Sequence, residues 1–592
     1  MRRYLIPVAV SLSALAAPLA AATPAEQLSQ VFRDSDEALL KRQPLNALFR
    51  GDLRYADQLG DFFSDAASEA NFRADKTDLA ALARIDRTRL NATDRIAYDT
   101  FKRTTEIDMA GLTPAMRRLR DVRPIDHFFG VQTFYPDLSS GQGAAPFKTV
   151  ADYENNIKRH RQFAAQLDVA IARFREGMKT GVVQPKLIVR NVIDQLDLQL
   201  KGGVEGSAYV GPLKNFPDSI SAADRARLTA ETTAAVRDAI FPAYTRLRDF
   251  LRDEYLPVAR EGVGLVNMPG GLALYRYLIE SNTTLPMTPD QIHNLGLSEV
   301  ARITREMEAI KTKVGFTGTL PQFFDKLRAD PAVKFKSKDE MRDEFLSVGK
   351  RVDLRVREQF STIPKTPLEI RAVPEYREKT DAGGSYNQGT PDGSRPGVFY
   401  YNSYDLPSRS KVGSETLYLH EAVPGHHFQI SLAQENTALP SFMRFGGNTA
   451  YVEGWALYAE TLWPELGMET DPYQRFGGLD DEMLRALRLV VDSGLHAKKW
   501  TRDQAIEYML AHSGMSRTDA TIEVERYIAI PGQALAYKIG QLTILKLKAE
   551  AKAKLGDKFD AKKFHAQVLM TGALPMTVLE AKVRAWIAGD GV

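Results

Sequence analysis

The sequence predicts a mainly α-helical protein, one large helical unit with a small β-element beside the helix that carries its chemistry. Three observations carry this expectation. Apolar residues recur three and four apart between charges along most of the chain, as in Phe163 to Arg175 and Ile303 to Val314. Helix starts are signalled by caps, most clearly Thr288-Pro289-Asp290-Gln291, with Thr as N-cap, Pro at the first helical position and Gln closing a capping box. The one β-like stretch, Val398 to Asn402, follows a tract rich in Gly, Ser, Asn, Pro and Asp, from Asp381 to Gly397, that reads as an irregular loop.

From the N-terminus, Arg2 and Arg3 precede an apolar, Ala-rich run from Tyr4 to Leu19, and Ala20-Ala21-Ala22 offers a small-residue cleavage site before Thr23. Residues 1–22 therefore read as a signal peptide, and the mature chain is expected in the periplasm or secreted. No later segment is long and apolar enough to span a bilayer, so no stable membrane insertion is expected after cleavage. Residues 23–362 read as a helical N-terminal region. Helical patterning resumes near Ser414 and continues to Ile587, within a second region, 363–592, that holds the chemically informative residues. No repeat or linker separates the two, which are expected to pack as one unit.

Composition narrows the function. Lys plus Arg is 78 against 75 Asp plus Glu, and without a basic stripe nucleic acid is not an expected partner. The absence of cysteine rules out disulfides, thiolate nucleophiles, cysteine-ligated metal and a cysteine-linked lipid anchor. Any metal must be held by His, Asp and Glu.

Three of the nine histidines fall in Leu419-His420-Glu421-Ala422-Val423-Pro424-Gly425-His426-His427. A zinc hydrolase needs neutral imidazole ligands and a carboxylate that takes a proton from water, and a His followed at once by Glu supplies both. The usual second His lies four residues on, one helical turn away. Here the candidates lie six and seven residues on. At 3.6 residues per turn, six residues rotate a side chain by about 240°, and seven carry it about 10.5 Å along the axis. Neither fits a regular helix. Pro424 lacks the N–H that would bond the His420 carbonyl, and Gly425 permits unusual angles, so a bulge or kink is expected that swings His426 into the ligand position. His427 is the reserve. Downstream, Glu453 and Glu460 share a helical face, and Glu453, followed by Gly454, is the better third ligand.

These residues also carry a resemblance. His-Glu-Ala-Val-Pro-Gly-His-His-Phe-Gln resembles the signature of the bacterial domain-of-unknown-function 885 family, which is similar to glutamate-ligand (gluzincin) zinc metallopeptidases. The resemblance extends through Asp392 to Gly397 leading to Asn402, Glu453 to Tyr458, Arg488 to Asp492 with His496, Arg526-Tyr527, Pro531 to Ala534, Tyr537 to Gly540 and Phe564-His565. Upstream, Gly270-Gly271 and Thr283 to Glu299 also fit. It implies a helical metallopeptidase-like architecture with Zn²⁺ on His420, His426 and Glu453 and Glu421 as general base, acting on peptides. Related gluzincins often place an Asp four residues after the Glu ligand to orient the first His. Here that position is Leu457, so the orienting group must lie elsewhere.

Within these motifs, Tyr537 and His496 are candidate oxyanion donors, and Arg526 and Lys538 candidate partners for a substrate carboxylate. For Arg526 a buried ion pair, with Asp492 for example, competes with that role. Tyr400 to Asn402, and in it Tyr401 and Asn402, could pair with an extended substrate backbone. His127 and His160 have no paired ligand nearby, while His293, with Glu299 on a capped helix, and His565, after Phe564 on an amphipathic helix, read as structural. Two other functions fit the same residues: a periplasmic metal- or peptide-binding protein without turnover, and a zinc hydrolase of another amide or ester. Glu421, which only catalysis requires, weighs against the first.

Overall fold

The structure is a computed structural model that describes residues 22–374, 378 and 382–589. The signal-peptide reading falls on residues 1–22 and so lies almost wholly outside the described residues. Helices dominate, with a single three-stranded sheet. No described helix is long and apolar enough to cross a membrane.

In the N-terminal half, α1 (Val150–Thr180) contains the predicted Phe163 to Arg175 segment and buries Phe163, Leu167, Ala170 and Phe174 on one face. Further along the chain lie α2 (Gly271–Thr283) and α3 (Pro289–Lys313). At the start of α3, Gln291 N–H donates to Thr288 Oγ1 at 3.2 Å, and Thr288 N–H donates to Gln291 Oε1 at 2.9 Å. The predicted capping box is thus formed, and two orphan donors of the first turn are satisfied. α4 (Lys338–Asp353) leads to the sheet.

The sheet has the order β1-β3-β2, with β1 Leu368–Ala372, β2 Gly384–Asn387 and β3 Gly397–Tyr401. β1 runs parallel to β3, pairing Leu368 with Gly397, and β2 runs antiparallel, pairing Gly384 with Tyr401. β2 lies inside the tract read from sequence as an irregular loop. Its four residues, Gly384-Ser385-Tyr386-Asn387, include little β-branched or apolar content, and pairing with the buried β3 orders them. Phe399 of β3 packs on Phe345 of α4, with ring centroids 4.9 Å apart.

The helices after the sheet that frame the site are α5 (Ser414–Glu421), α6 (His426–Glu435), α7 (Thr449–Glu460), α8 (Pro472–Ala497), α9 (Arg517–Ala529), α10 (Leu535–Leu555) and α11 (Ala561–Leu569). α3 lies along α8, and α7 lies along α10. The second pair is unusually close. A Cβ on Gly454 would lie 2.4 Å from Gly540 Cα, and one on Gly540 would lie 1.9 Å from the Ala450 carbonyl oxygen. The glycine that follows Glu453 thus admits another backbone, as its position in the sequence suggests.

The cores cross residue 362. One joins Leu28 and Phe32 to Phe399, Leu419, Trp455 and Phe564, and another joins Phe163 and Phe174 to Leu495 and Tyr527. Both halves of the chain therefore wall the space between them.

Candidate metal centre

The site begins where a helix fails. α5 ends at Glu421, and Ala422 leaves the helical region at φ −105°, ψ −105°. The Val423-Pro424 bond is cis, Gly425 sits at φ −76°, ψ −130°, and α6 starts at His426. The sequence suggested a bulge or kink. The structure instead breaks the helix into two, because Pro424 cannot continue the ladder and Gly425 is folded back hard against α5. A Cβ on Gly425 would lie 1.9 Å from the His420 carbonyl oxygen and 2.4 Å from that of Leu419. Trp455 of α7 donates from Nε1 to the Pro424 carbonyl at 2.8 Å and ties the break to the next helix.

This fold-back brings His426 to His420. Their rings lie 4.8 Å apart and nearly perpendicular. His426 Nε2 is 3.3 Å and His420 Nε2 3.7 Å from Glu453 Oε2. His420, His426 and Glu453 can each offer one ligand atom, all within 4.8 Å of one another. His427 is directed elsewhere. Its Nδ1 is 3.0 Å from the Tyr386 hydroxyl, and burial pushes its pKa down to about 4.

The electrostatics suit a cation. Burial opposes charge on His420, yet Glu453 and Glu460, with help from Glu421, raise its pKa to about 10. Burial likewise opposes charge on Glu453, but His426 and His420 hold its carboxyl well below the usual range. Glu453 Oε2 and His426 Nδ1 are nonetheless buried without a hydrogen bond. Buried polar atoms rarely stay unmatched, and Glu453 Oε2, which the Nε2 atoms of both imidazoles approach, fits a bound metal ion.

Glu460, one heptad after Glu453 on α7, supplies the orienting group that Leu457 cannot. Its Oε1 lies 2.7 Å from His420 Nδ1 and accepts that N–H, leaving Nε2 for the ligand position. Its face-sharing with Glu453 was visible in the sequence, while its pairing with His420, 40 residues away, was not. Replacing Glu460 with Gln should lower metal affinity about 10- to 100-fold. Competition against a chelator measures this, and an unchanged affinity would remove Glu460 from the site.

Glu421 and His420 line a cavity of about 2360 Å³, along with Tyr537 and Arg526. Tyr537 Oη accepts from Arg526 Nη2 at 3.2 Å. Arg526 also reaches Glu523 and Gln533, so its carboxylate partner is Glu523 and not Asp492, which takes hydrogen bonds from Tyr275 and the Gly532 amide.

Four other candidates are placed away from this chemistry. Lys538 is fully buried and bonded to Glu482 at 2.6 Å, Gln541 at 2.7 Å and Glu299 at 3.1 Å, so its charge is already matched inside the core. Tyr401 and Asn402 belong to or adjoin β3, the central strand, whose two edges are already paired, so an incoming backbone cannot add there. The Tyr401 hydroxyl donates to the Lys338 carbonyl, and Asn402 Nδ2 donates to the Glu378 carbonyl. His496 accepts from the Leu265 amide at Nδ1 and donates from Nε2 to the Tyr527 carbonyl, which leaves neither nitrogen for an oxyanion.

A titration test follows for His496, whose pKa burial pushes down to about 3 from 6.5. The neutral ring supports the fold. Below pH 6.5 the unfolded chain gains a proton there that the folded chain refuses, so this stabilisation fades as pH falls towards 3. Buried Asp480 and Asp492, both pushed up to about 7, act in the opposite sense, so total stability would not isolate the effect. The stability gap between wild type and His496→Gln should instead narrow by about 1 kcal/mol per pH unit from 6.5 to 4. Urea titrations at several pH values check this.

His160, His293 and His565 bond Tyr135, Ser493 and Tyr458 respectively.

Known proteins share this framework. A crystal structure of a candidate lipoprotein from Colwellia psychrerythraea superposes with a TM-score of 0.89 at 30% identity, covering 96% of this chain and 100% of that one. A candidate lipoprotein of unknown function from Shewanella oneidensis gives 0.69 at 20% identity, over 95% and 99%, which is a likeness of fold. No curated protein matches the chain. The profile of the bacterial proteins of unknown function called DUF885 matches residues 44–583, and the chain belongs to that family.

Proposed function

We propose that the protein is a zinc-dependent peptidase that hydrolyses peptide bonds in oligopeptides. The observation that carries this reading is the convergence of His420, His426 and Glu453, with unmatched buried atoms on two of them, beside Glu421 on the wall of one large cavity. His420, His426 and Glu453 would hold the ion, and Zn²⁺ bound there supplies Lewis acidity towards a water and the scissile carbonyl. Glu421 takes the proton from the attacking water and returns it to the leaving amine. Tyr537 accepts a hydrogen bond from Arg526, which leaves its own O–H free to donate to the developing oxyanion.

The cavity exceeds the roughly 300–1,000 Å³ of ordinary small-molecule pockets, which suits several residues of an extended chain. Its walls include 382–384 at the start of β2, whose outer edge is unpaired among the described residues. Backbone pairing with substrate, if the enzyme uses it, belongs to β2 and not to β3. The reading also sets the mature chain outside the inner membrane. The Arg2-Arg3 and apolar N-terminus supports this, as does the description of the Colwellia protein as a candidate lipoprotein.

Purified protein is expected to hold about one equivalent of zinc, as a buried three-residue ligand set with an open fourth position should. Profiling a peptide library by mass spectrometry, before and after chelation, should reveal cleavage that zinc restores. Absence of turnover in the zinc-loaded protein would favour a binding protein instead.

A further inference from the structure

The wall of the cavity carries a charge imbalance that the metal centre does not use. α8 contributes Arg485 and Arg488, and α9 contributes Arg526. All three line the cavity shared by His420 and Glu421. Arg485 pairs with Asp481 at 2.9 Å, but Glu523 alone serves both Arg488, at 3.0 Å, and Arg526, at 3.4 Å. Three guanidiniums thus share two carboxylates. Asp480 nearby is a weak counterweight, since burial pushes it up to about 7. Arg488 and Arg526 feel each other's charge, and both hold Glu523 down at about 2 against the effect of its burial.

Hydrogen bonding shows the same shortfall. Arg488 is 4% exposed, with its guanidinium 4.4 Å above the Tyr537 ring and Nε and Nη2 directed to Glu523. Its Nη1 is buried with no partner, and so are Nε of Arg485 and Nε of Arg526. Each N–H group left bare in low dielectric is costly. Three bare donors on three neighbouring, permanently charged side chains indicate a missing anionic acceptor. A planar carboxylate is the natural partner of a guanidinium fork. The cluster also borders the metal centre, since Arg485 lies within electrostatic reach of Glu460, the carboxylate behind His420.

We propose that Arg488, flanked by Arg485 and Arg526, is a subsite for the free carboxylate of a peptide substrate, so that the enzyme trims peptides from their carboxyl ends. This rests on the peptidase reading and adds the substrate class to it. Tyr537 then links the two regions. Its ring backs Arg488, and its hydroxyl takes a hydrogen bond from Arg526, so occupancy of the carboxylate subsite positions the proposed oxyanion donor.

The test compares three peptides of one sequence with the zinc-loaded protein: the free acid, its carboxyl-terminal amide, and the amide with Glu in place of a neutral last residue. The free acid is expected to exceed the neutral amide in kcat/KM by about 10- to 100-fold, the worth of charge-assisted hydrogen bonds. That ratio should collapse towards one in Arg488→Gln. Should that variant fail to fold, Arg526→Gln serves for the same ratio. Equal cleavage of acid and neutral amide overturns the subsite. Recovery of fast cleavage by the Glu-bearing amide overturns the terminal assignment and gives the anion to a side chain. Failure of the peptidase reading is separable. If no peptide is cut, calorimetry of acid and amide binding to Glu421→Gln still reads the subsite, with tighter binding of the acid supporting it and equal affinities overturning it.

Discussion

Replacing Glu421 with Gln is expected to leave zinc content unchanged and lower peptide turnover by about 10²- to 10⁴-fold, the usual contribution of a general base. Gln preserves the shape of the side chain and removes only its capacity to take a proton. Glu421 is buried at the last turn of α5, directly after His420, and lines the cavity with it. It is not one of the three grouped ligand residues, so removing its charge spares the metal. Metal analysis alongside turnover of a peptide pool gives the result. Full activity in the variant would transfer the base role to another group, and loss of zinc would make Glu421 a ligand.

The second large effect is structural. Gly425→Ala should cost about 3 kcal/mol or more of stability and most of the zinc affinity together. The added methyl would meet the carbonyl oxygens of His420 and Leu419, which are backbone atoms of a buried helix and cannot rotate aside. The only relief is to unfold the turn between α5 and α6, which carries His426 away from His420. Thermal unfolding with and without zinc reads both losses. A variant that kept full zinc affinity would show that the fold-back is not what positions His426.

The helical class and the metal group were legible because both are written locally. Three- and four-residue periodicity and caps such as Thr288 with Gln291 need no knowledge of distant chain, and His420, Glu421, Pro424, Gly425 and His426 fall within seven consecutive positions. What escaped depends on distant pairing. β2 is too short and too polar to announce itself and exists through its partner β3. Tyr401 and Asn402 resembled a free edge because nothing local reveals that β1 and β2 flank their strand. His496 and Lys538 looked available as an oxyanion donor and a carboxylate partner, but partners 231 and 56 positions away commit them to the core. Arg488 was visible as part of a motif. Its imbalance appears only when α9 brings Arg526 to the same wall with a single shared Glu523.

The cavity walls have a consequence for when activity can first exist. They combine Phe128 and Gln195 from early in the chain with Glu421 and finally Tyr537. A chain emerging in order thus completes the His420, His426 and Glu453 group well before it can enclose the cavity. Until α10 docks through the Gly454–Gly540 contact, Tyr537 has no fixed place. On the proposed peptidase reading, hydrolysis would therefore await completion of the whole fold.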